Sequence, residues 1–252
     1  MLSLERRNEI KNLLLEKKSV TVYEVSKHFG VSTETIRRDF EALEKTGFLN
    51  KTYGGAVLRT SVSSQVDNKV LGTLFLDAKR RIAKKCAELL HPGECIFIDF
   101  STTAFQLCDA IGETPLTVVS NSQNVLSALA ERPSVSLLST GGNYDRTTGS
   151  YLGRNAARFL SCYHLDTAFV SCCSLSMEQG LSDRNEDEAE LRRTVIENAN
   201  RVVLVVDHTK FGKVSFVHTC GFGNITALVT DEPLSRTWNE FFQQQKVTVY
   251  EA

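Results

Sequence analysis

Residues 21–58 read TVYEVSKHFGVSTETIRRDFEALEKTGFLNKTYGGAVL. Thr21, with Glu24 three residues on, is a capping box in which each side chain takes the other residue's backbone N–H. A helix therefore opens there and runs through Val22, Val25 and Phe29. Gly30 supplies a left-handed stop. Ser32 is placed to cap a further helix, whose Ile36, Phe40 and Leu43 share one face at i, i+4 and i+7. Gly47 ends that helix, and FLNKTYGGAVL follows as two short strands around Tyr53-Gly54-Gly55. Upstream, Leu4, Ile10, Leu13 and Leu14 stand at helical spacing. The first 58 residues thus read as three helices and a hairpin.

Two helices joined by a short glycine-containing turn have the layout of a helix-turn-helix, and the hairpin adds a wing. At about 100° per residue, Ile36, Phe40 and Leu43 face inward. Arg38 then points almost directly away, flanked by Glu34, Thr35, Arg37 and Glu41. Adjacent arginines near a helix N-terminus, among the hydroxyls of Ser32, Thr33 and Thr35, can reach guanine edges or phosphates in a major groove. Lys51 and Tyr53 on the hairpin could touch the DNA backbone or minor groove. Taken singly, each arginine reads as a solvated surface residue paired with Glu34 or Glu41, and only the full string below changes that.

Charge follows the same division. Residues 1–60 carry a net +3 and the rest of the 252-residue chain −4, for a total of −1. A mildly basic head on a mildly acidic body suits a polyanion-binding N-terminal module. With 42% hydrophobic and 23% charged residues the composition is globular, not disordered. The apolar runs Cys95–Ile98 and Val202–Val206 are far shorter than the roughly 20 residues of a membrane span. The start MLSLERRNEIKNLLLEKK has charges at helical spacing, unlike a signal peptide. A cytoplasmic protein is expected. Seven cysteines, an odd number with no C-x-x-C pair, read as small buried hydrophobes in a reducing compartment. The five histidines show no i, i+4 pairing, so neither a metal nor a cofactor is expected.

A polar stretch opens at Arg59, and a linker is expected over residues 59–76. Beyond it, apolar strand-like runs (ECIFIDF, LTVVSNS, VSLLSTGG, DTAFVSCCSL, RVVLVVDHTK, ALVTDE, KVTVY) alternate with amphipathic segments at residues 78–90, 104–111, 125–132, 155–162 and 188–199. That alternation predicts an α/β domain over 77–252 with a mainly parallel sheet covered on both faces.

In such sheets ligands bind outside the carboxyl ends of the strands. Four of those ends are small and polar: Asp99 to Thr103, Ser120 to Ser122, Thr140 to Gly142, and Asp207 to Lys210. The Ser101, Thr102 and Thr103 hydroxyls before a helix starting near Ala104 suit a phosphate, and Lys210 would add a charge. Asp99, Asn121 and the cluster Glu186-Asp187-Glu188 could accept hydrogen bonds from sugar hydroxyls. The same residues suit ordinary turns and caps, and composition alone leaves that open.

The string Arg6-x3-Ile10-x3-Leu14, then Ser32-x2-Thr35-Ile36-Arg37-Arg38-Asp39, Glu44, Gly47 and Tyr53-Gly54-Gly55-Ala56, resembles the signature of DeoR-family bacterial transcriptional regulators. IFIDFSTT, the SNS triplet, the glycines at 141–142, NEDEAELRR and LVVDHTKFG resemble that family's sensor domain over residues 77–232. The resemblance implies a winged helix-turn-helix joined to an α/β sensor similar in fold to sugar-phosphate isomerases. It implies that Ser101–Thr103 and Lys210 hold the phosphate of a sugar phosphate, and Ser120, Asn121, Gly141, Gly142, Asp99 and Glu188 are expected in the same effector site. Phe40 stands where the family usually has leucine, Lys51-Thr52-Tyr53 where a basic residue and histidine are common, and Ser101 where glycine is usual. Serine there reads as tuning the effector.

Asp99, Asp207 and the 186–190 cluster offer carboxylates for isomerase chemistry, so the C-terminal half alone leaves activity open. An attached DNA-binding module serves a sensor and not a catalyst, and no catalytic residue is assigned. The expected protein is a homo-oligomeric repressor of a carbohydrate operon, bound to repeated half-sites on double-stranded operator DNA and released by a phosphorylated sugar. An activator or dual regulator of the same architecture is the alternative. A nonspecific nucleoid-type binder fits poorly with a slightly acidic chain.

Overall fold

The computed structural model describes residues 2–46, 48–58 and 68–252. The expected helix stop at Gly47 and the polar stretch 59–67 lie outside the described residues. The chain divides into two compact units, Met1–Phe75 and Leu76–Ala252.

The first unit runs α1 (Ser3–Lys17), β1 (Ser19–Thr21), α2 (Val22–Phe29), α3 (Thr33–Lys45), β2 (Leu49–Thr52), β3 (Gly55–Leu58) and α4 (Asn68–Leu71). The Thr21–Glu24 capping box forms, and Gly30 closes α2 at φ +63°. Ser32 Oγ accepts the Thr35 N–H at the start of α3. Strand β1, absent from the sequence reading, pairs with β3 to make a three-stranded antiparallel sheet in the order β1-β3-β2. Its approach explains Gly55, where a Cβ would stand 2.4 Å from the Val20 carbonyl oxygen.

Ile10, Leu14, Val25, Ile36, Phe40, Leu43 and Leu49 build the core. Leu4, expected on the inner face of α1, is exposed, and Arg6 and Lys11 turn inward instead. The linker expected over 59–76 also differs in its second half. Residues 68–71 form α4, and Leu74 packs into this core because it is the nearest apolar surface able to cover it.

The second unit contains α5 (Leu76–Ala87), β4 (Cys95–Ile98), α6 (Leu107–Ala110), β5 (Leu116–Ser120), α7 (Gln123–Leu129), β6 (Val135–Ser139), β7 (Asn143–Asp145), β8 (Ser150–Leu152) and α8 (Arg154–Leu160). It continues with β9 (Leu165–Val170), β10 (Ser174–Ser176), β11 (Gly180–Asp183), α9 (Glu186–Glu197), β12 (Ala199–Val205), β13 (Val217–Cys220), β14 (Ala227–Thr230), α10 (Arg236–Gln244) and β15 (Thr248–Glu251). Seven strands form one sheet in the order β15-β14-β12-β9-β4-β5-β6, and every neighbouring pair in it is parallel. They coincide with the seven apolar runs.

Both faces of its inner strands are buried, which is why they read as continuous apolar runs, while the edge strands β6 and β15 stay partly exposed. Ile96, Ile98, Val118, Val203 and Val205 pack on one side under α5, α6 and α7. Phe97, Val119, Ala168, Val202 and Leu204 pack on the other under α8, α9 and α10. The chain starts in the middle at β4, builds outward to β6, then returns to the other side of β4 as β9. Ligand crevices of doubly wound sheets form at such a reversal. Here it lies between β4 and β9.

Candidate functional site

In the first unit, α2 and α3 form the helix pair and α3 presents a charged outer face. Glu34, Arg37 and Arg38 are all well exposed, with Glu34 Oε2 3.9 Å from Arg37 Nη1 and Glu34 Oε1 3.6 Å from Arg38 Nε. Ser32 and Thr35 share a hydroxyl hydrogen bond of 2.9 Å at the helix start, beside exposed Thr33. Lys51 sits differently from the expected outward reach. Its Nζ lies 3.5 Å from both Glu41 and Glu44, and its N–H donates to Glu44 Oε1. It clasps the hairpin to α3. Tyr53, at the hairpin tip, is fully exposed.

In the second unit, Asp99 follows β4 directly at the reversal. It is fully buried, and its N–H donates to the Phe169 carbonyl of β9. Its Oδ2 accepts from Ser171 N and from Arg192 Nη2 at 3.1 Å. Arg192, from α9, also reaches Asp183 Oδ1 at 2.5 Å and stacks its guanidinium 4.4 Å from the centre of the Phe100 ring. The three carboxylates Asp99, Asp183 and Glu188 around it hold the Arg192 proton far more tightly than usual, against the cost of its burial. Burial pushes the Asp99 carboxyl up, with Arg192 opposing. Glu188 combines two roles: it exchanges hydrogen bonds with Asn185 at the start of α9, and its Oε2 lies 3.5 Å from Arg184 Nε.

The hydroxyl loop departs from expectation in its helix. Ala104–Gln106 is a single 3₁₀ turn followed by the four-residue α6. Ser101 already accepts two of the amides expected to face a ligand, those of Ala104 and Phe105, through its Oγ and its carbonyl. An element this short has little dipole to offer an anion, because that field sums over aligned peptides. Two lysines are the other candidates for positive charge in this region. Lys210 is half-buried in the His208–Lys210 turn that follows β12. Lys79, which the sequence reading missed, is only 4% exposed on α5, the helix packed against the 3₁₀ turn. Burial pushes its amine down to about 8, with Asp207 raising it and Lys210 lowering it.

Ser120 and Asn121 lie side by side with this loop through the β4–β5 register. Ser120 Oγ donates to the Ile98 carbonyl and accepts from Ser122 N, a structural role. Asn121 Nδ2 holds the Tyr151 carbonyl of β8. Asp99 Oδ1 and Asn121 Oδ1 are buried without a hydrogen-bond partner among the described residues. Gly141 and Gly142 follow β6 with φ +61° and +117°. A Cβ on Gly142 would meet the Leu152 carbonyl at 2.7 Å, so this glycine also admits β8.

Two trios, Cys173-Asp183-Glu188 and His208-Asp231-Glu232, bring candidate metal-ligand atoms within 4.8 Å of one another. Arginines 184 and 192 already answer the charge of the first, and in the second His208 Nδ1 is hydrogen-bonded to Asp231 at 2.8 Å. All seven cysteines are free thiols, and burial pushes Cys108 up to about 12 and Cys173 and Cys220 to about 11. Cys162 is exposed, unlike the buried role expected of it.

The sequence profile of the DeoR-like helix-turn-helix domain matches residues 6–62, and that of the DeoR C terminal sensor domain matches residues 75–232. The chain belongs to the DeoR family. Similar proteins include one of Escherichia coli O157:H7 assigned as the aga operon transcriptional repressor, 36% identical over 90% of this chain and 86% of that one. The glycerol-3-phosphate regulon repressor of Escherichia coli K12 is 31% identical over 92% of each chain. The L-fucose operon activator of Haemophilus influenzae is 30% identical over 90% of this chain and 91% of the relative. Among solved structures, the sorbitol operon regulator SorC of Klebsiella pneumoniae aligns over 83% of this chain and 91% of its own, at 12% identity and a TM-score of 0.40. Ribose 5-phosphate isomerase A of Methanocaldococcus jannaschii aligns over 54% of each chain, at 18% identity and a TM-score of 0.40.

This DeoR-family chain is a helix-turn-helix transcriptional regulator and not an enzyme. Among the described residues no helix is long and apolar enough to cross a membrane.

Proposed function

We propose that this regulator represses a carbohydrate operon and is released from its operator by a phosphorylated sugar or polyol. The carrying observation is the pair of buried acceptors without a partner among the described residues, Asp99 Oδ1 at the strand reversal and Asn121 Oδ1 at the end of the neighbouring β5. A buried acceptor left unpaired costs about 1–3 kcal/mol, and a ligand hydroxyl would recover that. In this reading Lys79 and Lys210 join the Ser101–Thr103 hydroxyls in meeting the phosphate, with Ser120, Gly141 and Gly142 shaping the walls and Glu188 beside Arg184 and Arg192. A relative named for the glycerol-3-phosphate regulon fits this ligand class.

In this reading Ser32, Thr33, Thr35, Arg37 and Arg38 contact double-stranded operator DNA, with Tyr53 at the wing tip and Lys51 bracing the wing. The protein works in the cytoplasm as a dimer or larger homo-oligomer on repeated half-sites. The ligand must prefer the DNA-incompetent form, and a swing from 1:99 to 99:1 needs roughly 10⁴-fold differential affinity. A relative named as an activator favours a second reading, in which the same architecture stimulates transcription.

Thermal unfolding of the full chain against sugar phosphates and their unphosphorylated parents tests the sensor. A native-state ligand at 100 times its Kd adds about 2.7 kcal/mol. Stabilisation by one phosphorylated compound, together with release of operator DNA, supports the proposal. Equal stabilisation by the parent sugar would sink the phosphate site, and tighter DNA binding would favour activation.

A further inference from the structure

Every acidic side chain on α3 except one is answered by a cation away from the outer arginines. Asp39 is held by Arg6 and Arg7, and Glu41 and Glu44 by Lys51. Glu34 faces Arg37 and Arg38 themselves, at 3.9 and 3.6 Å, with its side chain 62% exposed. Neither distance is a hydrogen bond, and exposed pairs of this kind hold weakly.

We propose that Glu34 is a specificity-determining residue that accepts a hydrogen bond from a cytosine N4 amino group in the major groove. The inference rests on the reading that Arg37 and Arg38 enter the groove. When they do, guanine edges and phosphates compete for both guanidiniums and draw them away from Glu34. Its carboxylate is then brought against a polyanion and needs a donor. The donors that base edges offer in the major groove are the amino groups of cytosine and adenine, and acidic side chains pair with cytosine N4. Glu34 and Arg38 lie four residues apart, about 6 Å along the helix, and base pairs stack about 3.4 Å apart. The two side chains therefore read within two base pairs of each other: a guanine taken by an arginine, and a cytosine in that pair or a neighbouring one taken by Glu34.

The test is selection from a randomised duplex DNA library by the full-length wild type, Glu34→Ala, Glu34→Gln and the double variant Arg37→Ala/Arg38→Ala. Because Glu34 is exposed, its variants should melt with the wild type. The wild type is expected to enrich a guanine with a cytosine within two base pairs. Glu34→Ala should lose about 10-fold or more discrimination at the cytosine alone. Glu34→Gln should shift that position toward adenine, the base glutamine reads. If Glu34→Ala enriches the wild-type sequence at every position, Glu34 only tethers the arginines and the proposal is overturned. If the double variant enriches what the wild type does, or the wild type enriches nothing, the reading of α3 as the base-reading helix fails and takes this inference with it.

Discussion

Asp39 Oδ2 lies 2.6 Å from Arg6 Nε inside the N-terminal unit, with Asp39 turned about 100° around α3 from the exposed Arg38. Arg7 takes the other carboxylate oxygen at 2.8 Å, so one acid fastens α1 to α3. Breaking a buried pair by removing one partner strands the other charge and costs about 3–5 kcal/mol. Arg7 is partly solvated, so Asp39→Asn should cost about 3 kcal/mol. The single tryptophan, Trp238, lies on α10 of the other unit. The expected result is an earlier unfolding step in far-UV circular dichroism that Trp238 fluorescence does not share. Coincident shifts in both signals would contradict a local role.

Replacing Arg37 and Arg38 together by alanine should lower operator affinity at least 100-fold, as two lost bidentate or phosphate contacts would do. The oligomeric state, followed by sedimentation, should not change, because both side chains are exposed. The single variants separate the roles. Losing a phosphate contact weakens binding to all sequences and reduces the salt slope by about one, whereas losing a base contact relaxes one position. Retained operator affinity in the double variant would remove α3 from the interface.

Local signals carried much of this architecture into the sequence. The Thr21–Glu24 capping box needs only residues three apart, and each core strand betrays itself because both of its faces are apolar. Gly54 is legible for the same reason, as the turn residue at φ +98°. What stayed hidden depends on distant pairing. Arg192 and Asp99 are 93 positions apart, and nothing local on the amphipathic α9 marks Arg192 as the residue that turns inward to meet that acid. Lys79 reads as one of several lysines on an amphipathic helix until the fold buries it. Strand β1 owes its existence to β3, and the three residues Ser19–Thr21 carry no pattern of their own. Helix α10 is no such case: Trp238, Phe241 and Phe242 stand at i, i+3 and i+4 behind the Ser235 cap, a local helical pattern that the sequence reading leaves unused.

Arg192→Met would leave Asp99, Asp183 and Glu188 without their shared cation and should cost about 3–5 kcal/mol. The pH dependence carries the sign. Unpaired buried carboxyls have folded pKa values above the unfolded range near 4, so the native state then binds more protons than the unfolded one. Stability must fall as pH rises through that interval. The variant should be more stable near pH 5 than near pH 8 by Trp238 fluorescence. A loss equal at both pH values would mean that the cost is packing against Phe100, not charge.

Lys79 makes the proposed anion site proton-linked. Its amine is lowered to about 8 by burial, so near that pH about half of the unliganded molecules carry it neutral. A phosphate dianion beside it favours the charged form and raises the pKa. Binding near pH 8 should therefore take up protons, and affinity should fall toward tenfold per pH unit above 8 while staying flat between about 7 and 7.5, where the phosphate is already a dianion and the lysine is mostly charged. Calorimetry of a binding sugar phosphate in two buffers of different ionisation heat measures the uptake. Lys79→Met should weaken binding and abolish both the uptake and the slope, while Lys210→Ala weakens binding and leaves the slope in place. Without ligand, the same lowered pKa means that Lys79 binds more protons in the unfolded chain between about 8 and 10.5. The stability difference between the wild type and Lys79→Met should therefore move in favour of the wild type across that window. The buried thiols, whose raised pKa acts in the opposite direction, contribute equally to both. If the wild type binds its phosphate with no proton uptake at pH 8, Lys79 serves Asp207 alone and does not hold the anion.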